Sequence, residues 1–245
     1  RDYLVILPVM TATVVSTATL RTPRGPLVRV SRTPPGQPSM CVRHFIQEDA
    51  DIDRYLSLRD GEAAVRWDLA EAAARAREVG AKGLAYLAYA DPFYDVSELF
   101  DQEDFIVRCA VEPDRIDELI RSRFEGVKAE VEALLAELAR VGAEGFLLCT
   151  IGPERATPPL LPPSAFERFV VPYQRELVSR IHRAGLPVSL HCHGRIRQIL
   201  PHALACGFDV IEPAEPPPQG DIALGELLEA VEGRATILGY VQDQD

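Results

Sequence analysis

The chain has 245 residues, 47% of them hydrophobic, and its 26 lysines and arginines against 37 aspartates and glutamates give a formal net charge of -11. An acidic surface repels nucleic acid, and no apolar run approaches the length of a membrane span, so we expect a small-molecule substrate and neither nucleic acid nor a membrane as partner. The five scattered cysteines are typical of reduced thiols, which predicts a cytoplasmic protein.

The N-terminal residues predict strands and then a helix. An extended hairpin excursion is expected at about residues 1–40, from the runs YLVILPV, TVVSTATL and PLVRVS, with RTPRG as a turn between the last two. The segment EDADIDRYLSL predicts a short helix that begins with acidic residues. Because the length suits one core, we expect residues 1–245 to form a single domain.

From residue 62 onward, short apolar strands alternate with helices. Strands are predicted near residues 83–89, 145–150, 187–193, 208–212 and 235–240, and helices near 62–80, 96–110, 114–142, 164–185, 196–207 and 224–231. This alternation predicts a parallel sheet, either a barrel or an open doubly wound sheet. No Gly-rich phosphate loop joins a strand to a helix, which favours the barrel. The predicted class is α/β of the (β/α)₈ TIM-barrel type, incomplete at both ends because too few strands are present.

The strand PVSLHCHG carries two histidines on one face. Alternation places His191 and His193 together and Cys192 on the opposite, apolar face. In a barrel the polar face would lie inside, near the catalytic end of the strand. Two imidazoles at this spacing reach a single ion, which favours Zn²⁺, while two neutral, hydrogen-bonded histidines are the alternative.

Other strand ends and loops supply further candidates. Glu212 ends the next strand, where we expect a catalytic carboxylate that binds the metal directly or orients an imidazole, with a rim carboxylate as the alternative. Substrate contacts are predicted for Tyr94, Glu98, Thr150, Arg195 and Tyr240, with Arg195 suited to a substrate carboxylate. Cys149 is expected to be a buried structural thiol.

The run FERFVVPYQRELVSRIHRAGLPVSLHCHG, continued by IRQILPHALACGFDVIEP and ILGYVQ, resembles the uroporphyrinogen decarboxylase superfamily. LRTPRGPLVRVS and YADPFYDVSELF resemble it more loosely. The resemblance implies a (β/α)₈ barrel in one of two branches: metal-free decarboxylases of a tetrapyrrole, or methyltransferases that bind zinc through an H-x-C-G strand end and a later cysteine. Here His191 matches the first ligand and His193 replaces the cysteine.

We therefore expect a zinc-dependent methyltransferase-like enzyme that moves a methyl group from a corrinoid-type donor to a thiol-type acceptor. A corrinoid protein is an expected partner, and a homo-oligomer is compatible with the sequence. The first alternative is a metal- and cofactor-free uroporphyrinogen decarboxylase. Two departures from the family pattern count against it. Glu98 stands where the decarboxylases have a tyrosine in the loop after PF, and Gly239-Tyr240 stands where Gly-Asn is usual. The second alternative is a non-catalytic binding barrel.

Overall fold

The computed structural model describes residues 12–58 and 65–241. Their contacts form two compact units, one within Arg1–Arg59 and Glu98–Phe105, the other within Asp60–Ser97 and Ile106–Asp245. Compact units of this kind occur within single domains as well as between domains, so the single domain over residues 1–245 stays a prediction. No helix in the described part of the chain is long and apolar enough to cross a membrane.

The first unit is an antiparallel sheet with one helix. Its strands are β1 (Val14–Thr22), β2 (Gly25–Thr33) and β3 (Met40–Arg43), in that order, followed by α1 (Asp49–Leu56). The predicted hairpin is confirmed, because Thr22 pairs with Gly25 across the turn and the Thr22 hydroxyl donates to the Gly25 carbonyl at 2.7 Å. The strand predicted within residues 3–9 lies outside the described residues.

The second unit contains a five-stranded parallel sheet. The strands β4 (Ala85–Ala90), β5 (Phe146–Ile151), β6 (Val188–His191), β7 (Val210–Glu212) and β8 (Thr236–Ile237) pair in chain order. The predicted parallel sheet is confirmed, with a shorter third, fourth and fifth strand. Helices stand before and between these strands: α2 (Ala70–Val79), α3 (Pro92–Ser97), α4 (Gln102–Val111), α5 (Pro113–Val141), α6 (Pro163–Phe169), α7 (Val171–Arg183), α8 (Leu200–Cys206) and α9 (Leu224–Val231).

The two faces of this sheet differ. Tyr89 and Thr150 are paired in register, and both side chains hydrogen-bond to Gln174 of α7, so their face lies against the helices. Leu190 and Ile211 continue the same row. We call the opposite side the inner face; it carries Tyr86 of β4, Cys149 of β5, His191 of β6 and Glu212 of β7.

One side-chain contact requires the sheet to curve. The Tyr86 hydroxyl donates to Glu212 Oε2 at 2.8 Å, although β5 and β6 lie between the two strands. In a flat sheet the strands would be about 14 Å apart and their side chains would project in parallel. Curvature toward the inner face brings them together. The sheet is therefore the parallel, curved sheet of a (β/α) barrel, as the sequence predicts.

Four helix predictions need correction. Residues 65–69 are not helical; α2 begins at Ala70, whose N–H is accepted by the Asp68 carboxylate, and residues 62–64 lie outside the described part. The helix predicted over 96–110 begins only at Gln102, as α4, and the residues that follow β4 form the separate helix α3. The helix predicted over 196–207 begins only at Leu200. The helix predicted over 164–185 divides at Val170 into α6 and α7, because Pro172 lacks the N–H that a continuous helix would use.

Candidate functional site

Two imidazoles meet where β6 ends. The Nε2 atoms of His191 and His193 are 3.0 Å apart, and the ring planes are nearly perpendicular at 75°. Both rings reach solvent, whereas Cys192 between them is 1% exposed. His191 lies on the inner face with His193 beside it, and the burial of Cys192 agrees with the predicted alternation. Nitrogens at this distance fit one hydrogen bond between the rings, or two lone pairs directed at one cation.

Each imidazole has a carboxylate on its other side. His191 Nδ1 lies 3.5 Å from Glu212 Oε1, and His193 Nδ1 lies 3.0 Å from Glu215 Oε1. Glu215 Oε2 also accepts the Gly194 N–H at 2.6 Å. Burial acts to raise the pKa of Glu215, but the hydrogen bonds from His193 and Gly194 outweigh it and the pKa is lowered. A carboxylate at Nδ1 favours the tautomer that leaves Nε2 free to bind a metal.

Glu212 is the centre of the inner-face hydrogen bonds. It is 8% exposed, and it accepts from the Tyr86 hydroxyl at 2.8 Å and from the Cys149 thiol at 3.3 Å. Burial, reinforced by the hydrogen bond to Glu212, raises the pKa of Tyr86 to about 12 and that of Cys149 to about 12. Both groups stay protonated at neutral pH, so they act as donors to Glu212 and Cys149 is not a nucleophile.

The histidine pair accounts for two metal ligands. Within residues 12–58 and 65–241, no group of three or more His, Cys, Asp and Glu side chains is arranged to hold a metal ion. Glu212 faces Nδ1 of His191 rather than the Nε2 pair, which is the position of a group that orients a ligand. The residues present therefore fit a metal at two coordination positions, with Glu212 and Glu215 behind the ligands.

Thr150 and Glu98, two predicted substrate contacts, are held by other side chains of their own units. Thr150 is fully buried on the helix-facing side, where its hydroxyl accepts from Gln174 at 3.1 Å. Glu98 belongs to the first compact unit, and its carboxylate lies 3.6 Å from Arg29. Thr150 therefore lies on the side of the sheet opposite to the histidine pair, and the substrate roles of both residues stay predictions.

Tyr94 and Tyr240 are engaged with the backbone. A Cβ added to Gly152 would lie 2.2 Å from Tyr94 Cγ, so the glycine allows this tyrosine to pack directly on the chain after β5. The Tyr240 hydroxyl donates to the Ile222 carbonyl at 3.2 Å. Both roles in substrate binding likewise stay predictions.

Arg195 lies beside the histidines. It lines a cavity of about 370 Å³ together with His193 and the Pro-rich segment after β5. Sequence analysis missed Glu215, which lies in the loop EPAEPPPQGD, and Tyr86, one of two tyrosines in β4. The strand alternation separates Tyr86 from Tyr89 but does not say which of them faces inward.

The fold and this cluster define a (β/α) barrel-type protein with ionisable groups at the carboxyl ends of its strands. Residues 91–242, more than half of the chain, match the profile of the uroporphyrinogen decarboxylase (URO-D) family. The chain belongs to this family.

A solved structure gives the same fold. A methyltransferase from Methanosarcina mazei matches with a TM-score of 0.55 and 14% sequence identity, over 84% of this chain and 57% of that protein. The chain thus spans somewhat over half the length of that methyltransferase. At this identity the likeness concerns the fold. No curated protein sequence matches the chain.

Proposed function

We propose that the chain is a zinc-dependent, methyltransferase-like member of the URO-D family, which moves a methyl group from a corrinoid-type donor to a thiol-type acceptor. The observation that carries the proposal is the pair of Nε2 atoms 3.0 Å apart, with a carboxylate facing each Nδ1. The match in fold to a methyltransferase supports it. A corrinoid protein, as carrier of the donor, is the proposed partner.

In this proposal His191 and His193 hold Zn²⁺, and the remaining positions are filled by groups other than Glu212 and Glu215. When bound, the metal supplies Lewis-acid activation of the acceptor thiol. Glu212 orients His191, and Glu215 orients His193. Tyr86 and Cys149 hold the Glu212 carboxylate in place by donating to its two oxygens.

The metal content of the purified protein tests the proposal. Prepared without chelator, the protein should carry about one zinc per chain, as expected for a dedicated site. The double variant His191→Ala and His193→Ala should lose it. His202→Ala is the matched control, because this half-buried histidine of α8 lies outside the site. Equal zinc in the double variant and the control would contradict the proposal.

Metal-free decarboxylation of a porphyrinogen is the second candidate. The absence of a third ligand side chain among the described residues favours it, since the same cluster then serves as hydrogen-bonded acids and bases. The two imidazoles would then hydrogen-bond to one another, with Glu212 and Glu215 facing their Nδ1 atoms. Turnover of uroporphyrinogen by zinc-free protein would support the decarboxylase function over methyl transfer. Equal turnover by the double-histidine variant would show that the histidine pair takes no part in the decarboxylation.

A further inference from the structure

A cavity opens beside His193. It has a volume of about 370 Å³, within the range of roughly 300–1,000 Å³ that is usual for small-molecule sites. Pro158, Pro159 and Leu160 form one apolar wall, and Pro218 contributes another. Walls of this kind hold an aliphatic body and leave specificity to the few polar groups around them.

Two oppositely charged side chains line this cavity. Arg195 is exposed and makes no hydrogen bond or ion pair within the described part of the chain. Glu154 contributes a carboxylate whose Oε2 atom is buried without a hydrogen-bond partner among those residues. That oxygen has almost no accessible surface, so a ligand in the cavity meets the rest of the half-buried Glu154 side chain. The carboxylate makes no ion pair among the described residues, and it attracts a cationic group by its charge.

We propose that the cavity binds a small zwitterion of the amino acid class. The ligand's carboxylate pairs with the Arg195 guanidinium, its ammonium group donates to Glu154, and an aliphatic side chain lies on Pro158 and Pro159. A guanidinium binds a carboxylate through two parallel hydrogen bonds, and charged hydrogen bonds are stronger than neutral ones. The binding step requires no metal.

The position of His193 at the edge of the cavity suggests what the ligand does. If the proposed methyl transfer holds, on which this step rests, the zwitterion is the acceptor, and its thiol group lies toward the histidine pair. The thiol gives up its proton to solvent, its sulfur forms the bond to the methyl group as the donor's bond to that group breaks, and the electron pair of the broken bond stays with the donor. An amino acid carrying a thiol combines the three features: an anion for Arg195, a cation for Glu154 and a sulfur atom for the site.

Calorimetric titration with sulfur-free probes tests binding without involving metal chemistry. The probes are L-norleucine, hexanoate, which lacks the ammonium group, and pentylamine, which lacks the carboxylate. With metal-free protein at neutral pH, L-norleucine should bind at least ~10-fold more tightly than either, since each charged hydrogen bond contributes that much or more. Equal affinity for hexanoate and L-norleucine would overturn the zwitterion assignment, as would no measurable binding of L-norleucine.

Variants locate the binding. Glu154→Gln should lower the affinity for L-norleucine about 10-fold and leave the affinity for hexanoate unchanged. Arg195→Gln should lower the affinity for L-norleucine by a similar factor and leave the affinity for pentylamine unchanged. Glu229→Gln and Arg183→Gln, at exposed positions outside the cavity, are the controls. L-norleucine affinity that is the same in all four variants would overturn the proposal.

The double-histidine variant separates this inference from the proposed function. It should bind L-norleucine as the unmodified protein does, because the charged groups of the cavity are intact. If the unmodified protein binds L-norleucine but never carries zinc, the zwitterion site is supported and the zinc-dependent function is contradicted. If zinc binds at the histidines but L-norleucine does not bind, the zinc site is supported and the zwitterion site is contradicted.

Discussion

Glu215 joins the Pro-rich loop after β7 to the end of β6. One carboxylate oxygen faces His193 Nδ1 at 3.0 Å, and the other accepts the Gly194 N–H at 2.6 Å. The same carboxylate thus fixes the ring orientation and the backbone on which the ring is carried. A group of this kind controls how well an imidazole binds a metal without touching the metal itself.

Glu215→Gln should weaken zinc binding about 10- to 100-fold, the usual effect of removing a carboxylate behind a ligating histidine. The amide keeps one acceptor oxygen, so the Gly194 hydrogen bond can persist while His193 loses its charged partner. Competition with a chromophoric chelator measures the affinity, and Glu229→Gln serves as the control. An affinity equal to that of the control would mean that Glu215 supports only the loop.

The residues of the site differ in how far the sequence reveals them. His191 and His193 could be predicted because a strand places alternate residues on one face, and a two-residue period needs no tertiary information. Glu215 could not, because it reaches His193 from a loop 22 residues further along the chain. Proline-rich loops have no period, so nothing local indicates which carboxylate turns inward.

At the junction of β4 and α3, Asp91 is a fully buried carboxyl group. It is 0% exposed; one oxygen accepts the Tyr94 N–H at 2.8 Å and caps the helix, and the other accepts from Gln174 at 2.6 Å. Burial raises the pKa of Asp91 to about 7, against the opposite effect of these hydrogen bonds. The folded protein therefore holds a proton that the unfolded chain releases at lower pH.

Stability should fall as the pH rises. Between about pH 4 and pH 7 the folded state binds more protons at Asp91 than the unfolded state, so the free energy of unfolding decreases, by at most about 4 kcal/mol. Below this window the contribution is fully present. Asp91→Asn should make the free energy of unfolding depend less on pH over this window. Urea unfolding at several pH values measures this dependence, with Glu229→Gln as the control.

The fluorescence of Trp67, the one tryptophan of the sequence, follows the unfolding of the second compact unit, because its indole N–H donates to the Glu130 carbonyl of α5. The same pH dependence in Asp91→Asn and in the unmodified protein would show that Asp91 is ionised throughout.

The junction of β4 and α3 also shows which helices and strands the sequence could not predict. The parallel strands follow from apolar runs between helices, and their order follows from the tendency of consecutive strands to lie beside one another in a sheet. The segment after β4 looks like a polar loop, yet Asp91 at the N-cap and Pro92 at the first helical position are the signals that start α3. The division of α6 from α7 depends on Pro172, a signal that the surrounding helical period hides.

For the molecule as a whole, the inner face shows how the curvature of the sheet is held. Each neighbouring strand pair is joined by backbone hydrogen bonds, whereas β4 and β7, which are not neighbours, are linked by the side chains of Tyr86 and Glu212. Their contact spans three strand spacings and links residues 126 positions apart in the chain. It can form only after the four strands from β4 to β7 have assembled and curved.

That order of events makes the Tyr86 hydroxyl a determinant of how long the native state persists. A contact completed after the rate-limiting step of folding affects the unfolding rate and leaves the folding rate unchanged. Tyr86→Phe should therefore accelerate unfolding about 5-fold, equivalent to about 1 kcal/mol for one hydrogen bond, with refolding as fast as before. Stopped-flow Trp67 fluorescence at varied urea gives both rates; slower refolding would instead place the curved inner face in the folding nucleus.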